Sequence, residues 1–386
     1  MDNFRYHVYT EMLFGKGQIE QLPAVLARHG KNVLLAYGGG SIKKNGIYET
    51  ILNLLGDFNV IEFAGIEPNP HLTTVERGRD LCLAHNIDVI LAVGGGSVID
   101  CCKVVSAATY YNGNAWDLVD TYVPIKKALP IVTVLTMAGT GSEMNSGAVI
   151  TNTATHEKKG TGWPITYPQT SIVDPTYLYT LPAIQTAAGA ADIFSHVLES
   201  YFKKTPDAFL QDRMAEAILL TVIQYAPIAL REPENYSARA NLAWASSLAL
   251  NGLLGSGKKG PWSVHPIEHE LSAYYDLTHG VGLAILTPAW MRYVLNDQTV
   301  DKFVEYGVNV WKLDPTLWKF EIANRAIDRT EEFFKSLGIP MKLSEVGIDD
   351  SKFEAMAKSC VGMGGLPNAY VPLLEKDVLA ILEECK

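Results

Sequence analysis

The sequence predicts an α/β domain in its first half and an all-α domain in its second, and three observations carry that prediction. Short apolar runs alternate with helical stretches as far as the segment Thr180-Leu181-Pro182, strand signals almost vanish beyond it, and two of the apolar runs end in the same four letters, Gly-Gly-Gly-Ser. A chain of 386 residues is too long for one ordinary core, which sets the expected domains at 1–182 and 183–386.

In chain order, residues 32–37 (NVLLAY) read as a buried strand running into Gly38-Gly39-Gly40-Ser41, after which 42–55 has helical spacing. A strand at 60–63 leads to the turn Glu67-Pro68-Asn69-Pro70. The unit then repeats: 73–85 is an amphipathic helix, 88–93 (DVILAV) is a strand, and Gly94-Gly95-Gly96-Ser97 opens a helix near Val98. Strands at 131–135, 148–150 and 171–173 complete a mostly parallel sheet covered by helices. Beyond Pro182, stretches rich in Ala, Leu and Glu at 208–226 and 238–254 read as helices. No long Gly/Ser linker separates the halves, which predicts two domains packed around a shared cleft.

A formal charge of −10 gives no net attraction to nucleic acid or to an anionic membrane, so small-molecule chemistry is expected. The opening MDNFRYHVYTEMLFGKG lacks a basic end followed by an apolar stretch, and no apolar run reaches the roughly 18 residues of a spanning helix, which predicts a cytoplasmic protein. Five cysteines without CxxC spacing indicate reduced thiols rather than a disulfide framework.

A strand that ends in glycines before a helix brings backbone close to a ligand and leaves helical N–H groups free, an anion site that suits a pyrophosphate. Ser97 could add a helix cap. Tight packing alone is the competing explanation for either turn. Neither has GxGxxG spacing or the GK[ST] ending of a phosphate-transferring loop.

Asp192 and His196, four apart in GAADIFSH, share a helix face, and His265 and His279 supply two further imidazoles. One carboxylate with three imidazoles suits a borderline divalent ion, Fe(II) or Zn(II), better than Mg. His269 follows His265 by four, with Pro266 marking the first turn of a helix.

These residues resemble the iron-containing, group III alcohol dehydrogenases, in their butanol dehydrogenase branch. The motifs LFGKG, YGGGSIKKNG, EPNP, AVGGGSVID, LTMAGTGSE, VDPTY, GAADIFSH, HPIEHELSA and THGVGLAI follow one another in order along essentially the whole chain. The resemblance implies a Rossmann-like dinucleotide-binding domain, an all-α metal-binding domain and a dehydroquinate synthase-like architecture. It implies one divalent metal at Asp192, His196, His265 and His279, with Fe(II) first and Zn(II) or another ion as alternatives. It places the cofactor pyrophosphate at Gly95, Gly96 and Ser97 with Asp100 just beyond, the ribose near Gly39 and Ser41, the adenine near Asn69, and the remainder along Thr136, Thr140, Asn145, Lys158 and Tyr177.

Relatives that select NAD often carry Asp where this chain has Gly39. With Lys43 and Lys44 nearby, the expectation is that NADP(H) is accepted and favoured, with NAD(H) as the alternative. The implied reaction is hydride transfer between NAD(P)H and short to medium aliphatic aldehydes of the butanal type, by a homodimer, with His269 relaying a proton or orienting substrate. One rival stays open, because His265-Pro266-Ile267-Glu268-His269 also matches H-x-x-E-H, the pattern of an inverted zinc peptidase. A metal-dependent lyase on the same scaffold and a non-catalytic dinucleotide sensor are further alternatives.

Overall fold

Strands β1 (Glu11–Phe14), β2 (Asn32–Tyr37), β3 (Asn59–Phe63), β4 (Val89–Gly94), β5 (Ile131–Leu135) and β8 (Thr170–Val173) form an all-parallel sheet in a computed structural model that describes residues 1–121 and 123–386. Its order is β1-β8-β5-β4-β2-β3. The inner strands are apolar almost throughout because both faces are covered. Leu34, Ala36, Ile90 and Ala92 pack in one core with residues of the helices Leu72–Ala84 and Gly96–Ala108. Val33, Leu35, Leu91, Val93 and Val134 pack in the other, with residues of Leu22–Ala27 and Ile47–Leu54.

Three local expectations change. The helix expected over 42–55 is two, Ser41–Lys44 and Ile47–Leu54, broken at Gly46, whose φ of +81° cannot continue a right-handed helix. Residues 148–150 leave the main sheet for a separate antiparallel hairpin of β6 (Gly147–Asn152) and β7 (Glu157–Gly162). The sequence of β7, EKKGTG, has no apolar alternation to announce it. The short edge strand β1 was not expected either.

The strand order creates the feature that matters for binding. From β2 the chain moves outward to β3, and from β4, on the other side of β2, it moves the opposite way to β5. Adjacent strands whose connections diverge leave a crevice at their carboxyl ends, the usual ligand position in an open α/β sheet. Both GGGS turns flank it.

The chain forms two compact units: residues 7–181 with 233–251, and residues 1–6, 182–232 and 252–386. This grouping differs from a single break after Pro182 at two places. The larger is the helix Tyr236–Ala249, which holds the loop after β5: Ser246 Oγ accepts the Gly139 and Gly141 N–H groups at 2.9 and 3.3 Å, and Ser247 Oγ donates to buried Glu143 at 2.5 Å. A helical pattern reveals the helix but not which unit it joins.

The second unit is helical. Phe202 meets Phe303 at 4.8 Å and Tyr306 at 5.8 Å between ring centroids, and Phe194 meets Phe333 and Phe334 at 5.5 Å. Contrary to the sequence expectation, the helix Phe209–Arg231 is long and apolar enough to cross a membrane by length and composition. Its first turns instead join an ion-pair network, Asp212 with Lys258 and Lys302 at 2.5 and 2.7 Å and Arg213 with Glu305. Such charges tie it into the unit.

Candidate active site

Three and four residues along a helix return to the same face, so Asp192, His196 and Glu199 form one stripe on Ala183–Tyr201. His265, Glu268 and Ser272 form another on Val264–Tyr275, while His279 opens the helix His279–Val294. The candidate ligand atoms of Asp192, His265 and His279 all lie within 4.8 Å of one another. Asp192 Oδ1 is 3.7 Å from His279 Nε2 and 3.4 Å from His196 Nδ1. His196 stands outside that group of three, but its ring stacks on His265 at 4.6 Å. Asp192, His196 and His265 are buried and His279 is half-buried.

The donors fit a divalent ion. His265 Nε2 is buried without a hydrogen-bond partner among the described residues, a costly arrangement for an imidazole lone pair unless an ion takes it. Burial, then the neighbouring His265, His279 and His269, push His196 well below its ordinary pKa, so it is neutral, the form that ligates. One carboxylate and three neutral imidazoles match a borderline metal.

Two acids that sequence reasoning did not assign complete the centre. Glu199 lies 3.3 Å from His265 Nδ1 and accepts the backbone N–H groups of Ser263, Val264 and His265 at 2.7 to 3.1 Å. Burial alone would raise its pKa, yet His265 and the Lys203 charge hold it below the usual carboxylate range. Glu268 binds His279 Nδ1 and accepts from Ser272 Oγ at 2.5 Å. The signal for Glu199 was its spacing, three beyond His196 and seven beyond Asp192.

This geometry removes the peptidase reading of HPIEH. Glu268 is fully buried and bonded to an imidazole and a hydroxyl, so it has no exposed oxygen to activate water. His265 groups with Asp192 and His279, whereas His269 groups with Glu268 and His279, so the two histidines of the pattern do not share one ligand set. His269 is half-buried, its ring 5.8 Å from that of His279.

In the other unit, Gly39 and Ser41 follow β2, Gly95, Gly96 and Ser97 follow β4, and Thr136 follows β5, so neighbouring strands deliver them to one end of the sheet. The helix Gly96–Ala108 begins two residues earlier than expected, with Gly95 rather than Ser97 at its cap and no side chain covering its first N–H groups. Thr140 packs on Gly96, where a Cβ would come within 2.4 Å of it. Asp100 accepts from Ser142 Oγ at 2.5 Å and Val149 N at 2.9 Å, and Asn145 accepts from Lys103 Nζ at 3.1 Å and Gly147 N at 2.9 Å. Both therefore brace the loop that carries Thr136 and Thr140. Buried Lys103 centres this brace, donating also to Ser142 Oγ and Gly147 O at 2.7 Å.

Lys158 Nζ donates to Asn69 Oδ1 at 2.9 Å, joining the β6–β7 hairpin to the EPNP turn. Tyr177 lies in the turn after β8, its hydroxyl pushed up to about 12 by burial and then by Asp174 and Glu20. At the first turn Lys43 pairs with Glu62 at 3.3 Å and lies over the Tyr48 ring at 4.3 Å, while Tyr37 and Tyr48 both donate to Glu62 at 2.5 Å. Much of the positive charge expected there is already offset.

The chain is similar to known proteins along its whole length. Residues 10–175 match the family described as iron-containing alcohol dehydrogenase, and residues 186–385 match the C-terminal domain of the Fe-containing alcohol dehydrogenase family. The chain is 52% identical to the NADH-dependent butanol dehydrogenase A of Clostridium acetobutylicum over the full length of both. It is 43% identical to an NADPH-dependent aldehyde reductase of Escherichia coli, covering 93% of this chain and 92% of that one. Among solved structures, the NADH-dependent butanol dehydrogenase A of Thermotoga maritima superposes with a TM-score of 0.95 at 36% identity, covering 100% of this chain and 99% of the other.

Proposed function

Since this chain belongs to the iron-containing alcohol dehydrogenase family, we propose that it reduces short to medium aliphatic aldehydes of the butanal type and oxidises the matching alcohols. It is an NAD(P)H-dependent alcohol dehydrogenase and aldehyde reductase acting on small molecules, and it uses a divalent metal. The observation that carries this reading is the convergence of Asp192, His265 and His279, with His196 beside them.

Asp192, His196, His265 and His279 would hold a divalent ion, which would supply Lewis-acid chemistry toward a carbonyl oxygen, and a bound reduced nicotinamide would supply hydride. The chain's own side chains do the rest. Trp262 packs on His265 at 4.5 Å and on His196 at 5.5 Å, shielding one side of both imidazoles from water. His269, half-buried next to His279, holds the proton that the reduced oxygen must acquire. The glycine turns after β2 and β4, with Asn69, Lys158 and Tyr177, bind and orient the dinucleotide.

Fe(II) is the proposed ion and Zn(II) its main competitor. Both NADH and NADPH serve as donors: Gly39 offers no carboxylate to repel a 2′-phosphate, while the Lys43–Glu62 pair removes the strong attraction that would exclude NADH. The reading includes a cytoplasmic homodimer, and the five buried free thiols suit a reducing compartment.

Protein purified without air and given butanal should consume both reduced cofactors. A chelator should abolish this and Fe(II) should restore it. Undiminished turnover after complete removal of metal would end the proposal.

A further inference from the structure

We infer that Glu199 and Glu268 are positioning residues that fix which ring nitrogen His265 and His279 present to the ion. The inference rests on the reading of Asp192, His196, His265 and His279 as ligands. Burying a carboxylate is costly unless strong partners compensate, so two buried acids beside two ligand histidines call for a cause. Each acid faces an Nδ1: Glu199 that of His265 at 3.3 Å, and Glu268 that of His279. A neutral imidazole donates from one nitrogen and accepts at the other. An Nδ1–H held by a carboxylate therefore leaves the lone pair on Nε2. The two Nε2 atoms are the ones the centre needs: that of His265 is buried with no hydrogen-bond partner among the described residues, and that of His279 stands 3.7 Å from Asp192 Oδ1.

The acids also link three helices in sequence. Glu199, on the helix of Asp192 and His196, orients His265 on Val264–Tyr275, and Glu268 on that helix orients His279 on His279–Val294. Their other contacts differ. Glu199 gathers three backbone N–H groups at the start of Val264–Tyr275, a helix with no cap from its own N-cap side chain, so it supports the fold as well as the ligand. Glu268 accepts from the Ser272 hydroxyl, on its own helix, and gathers no helix-start N–H groups as Glu199 does, so its substitution is the more direct test of the effect on the ion.

Metal-free protein titrated with Co(II) against a chromophoric chelator tests this. E268Q is expected to bind about 10- to 100-fold more weakly than the unsubstituted protein and to shift the visible bands of the bound Co(II). S272A, which removes only the hydroxyl that aligns Glu268, should weaken binding several-fold in the same direction. Neither should lower the metal-free melting temperature in proportion. Affinity and Co(II) spectra unchanged in both variants, or losses that merely follow metal-free stability, overturn the inference. The control H279A separates the two levels: if it binds Co(II) as tightly as the unsubstituted protein, the ligand reading fails. If H279A loses the ion while E268Q and S272A keep it unaltered, only the positioning role fails.

Discussion

A Cβ on Gly39 in the first GGGS turn would meet nothing within 4 Å, whereas a Cβ on Gly96 in the second would lie 2.4 Å from Thr140 Cγ2. Identical letters thus answer two different demands. The first turn needs a left-handed residue at Gly40, φ +91°, and opens onto empty space at Gly39 and Gly40, only Gly38 coming close to a neighbour, Ile66 O at 3.1 Å from a Cβ there. The second is fixed by crowding, with Gly94 against Val98 and Gly96 against Thr140, and the loop above it is braced by Lys103 and clamped by Ser246. Variation at the first turn should therefore tune which cofactor binds, and variation at the second should decide whether one binds at all.

The most severe test is G96A. Thr140 sits in a braced loop and cannot retreat, so the substitution should cost about 3 kcal/mol by overpacking and abolish dinucleotide binding, as read by denaturation and by quenching of nucleotide fluorescence. A G96A protein with ordinary affinity would erase the contrast. Removing the brace from below comes next: K103M strands acceptors on Ser142, Asn145 and Gly147, an expected loss of about 2 kcal/mol.

That variant also carries a pH signature. Burial lowers Lys103 to about 8 from the ordinary 10.5, against the attraction of Asp100 and Glu143. Below about pH 8 folded and unfolded chains both hold this proton, and between about 8 and 10.5 only the unfolded chain does. The folded state therefore gains stability as pH rises through that window, a gain K103M should lack in paired melts.

The smallest effects belong to the first turn. G39D should leave folding intact and lower kcat/KM for NADPH relative to NADH about tenfold, close to 1.4 kcal/mol, because a carboxylate would face the 2′-phosphate. G39A should change stability by about 0.5 kcal/mol or less. An equal penalty for G39A and G96A would show that the turns are alike after all.

What the sequence disclosed follows from range. The runs NVLLAY, DVILAV and IVTVL announce strands because a doubly covered parallel sheet demands unbroken apolar segments, and β5 falls at 131–135 as read. Asp192 and His196 were legible because helical spacing is a local property. Their meeting with His265 and His279 is not local; the residue types suggested a four-ligand set, and the family resemblance implied the same four residues. Most of the hidden features depend on contacts that spacing along one element does not reveal. Glu199 lies 66 residues from the imidazole it holds, and Glu268 was visible only inside a motif that suggested a different role. Asp100 and Asn145 were expected to line the cofactor, and nothing in AVGGGSVID or in the Met144-Asn145 that follows LTMAGTGSE discloses that their polar atoms knit the supporting loop.

The clamp by Ser246 and Ser247 has a consequence for biosynthesis. The ribosome produces Gly139 and Glu143 just over a hundred residues ahead of the serines that fasten them, 107 in the case of Gly139. At roughly 5 to 20 residues per second, the nascent nucleotide half waits on the order of 5 to 20 seconds before it can close its last loop. Partway through that interval the helix Ala183–Tyr201 of the other unit is synthesised, so production of the two halves is interleaved in time rather than consecutive.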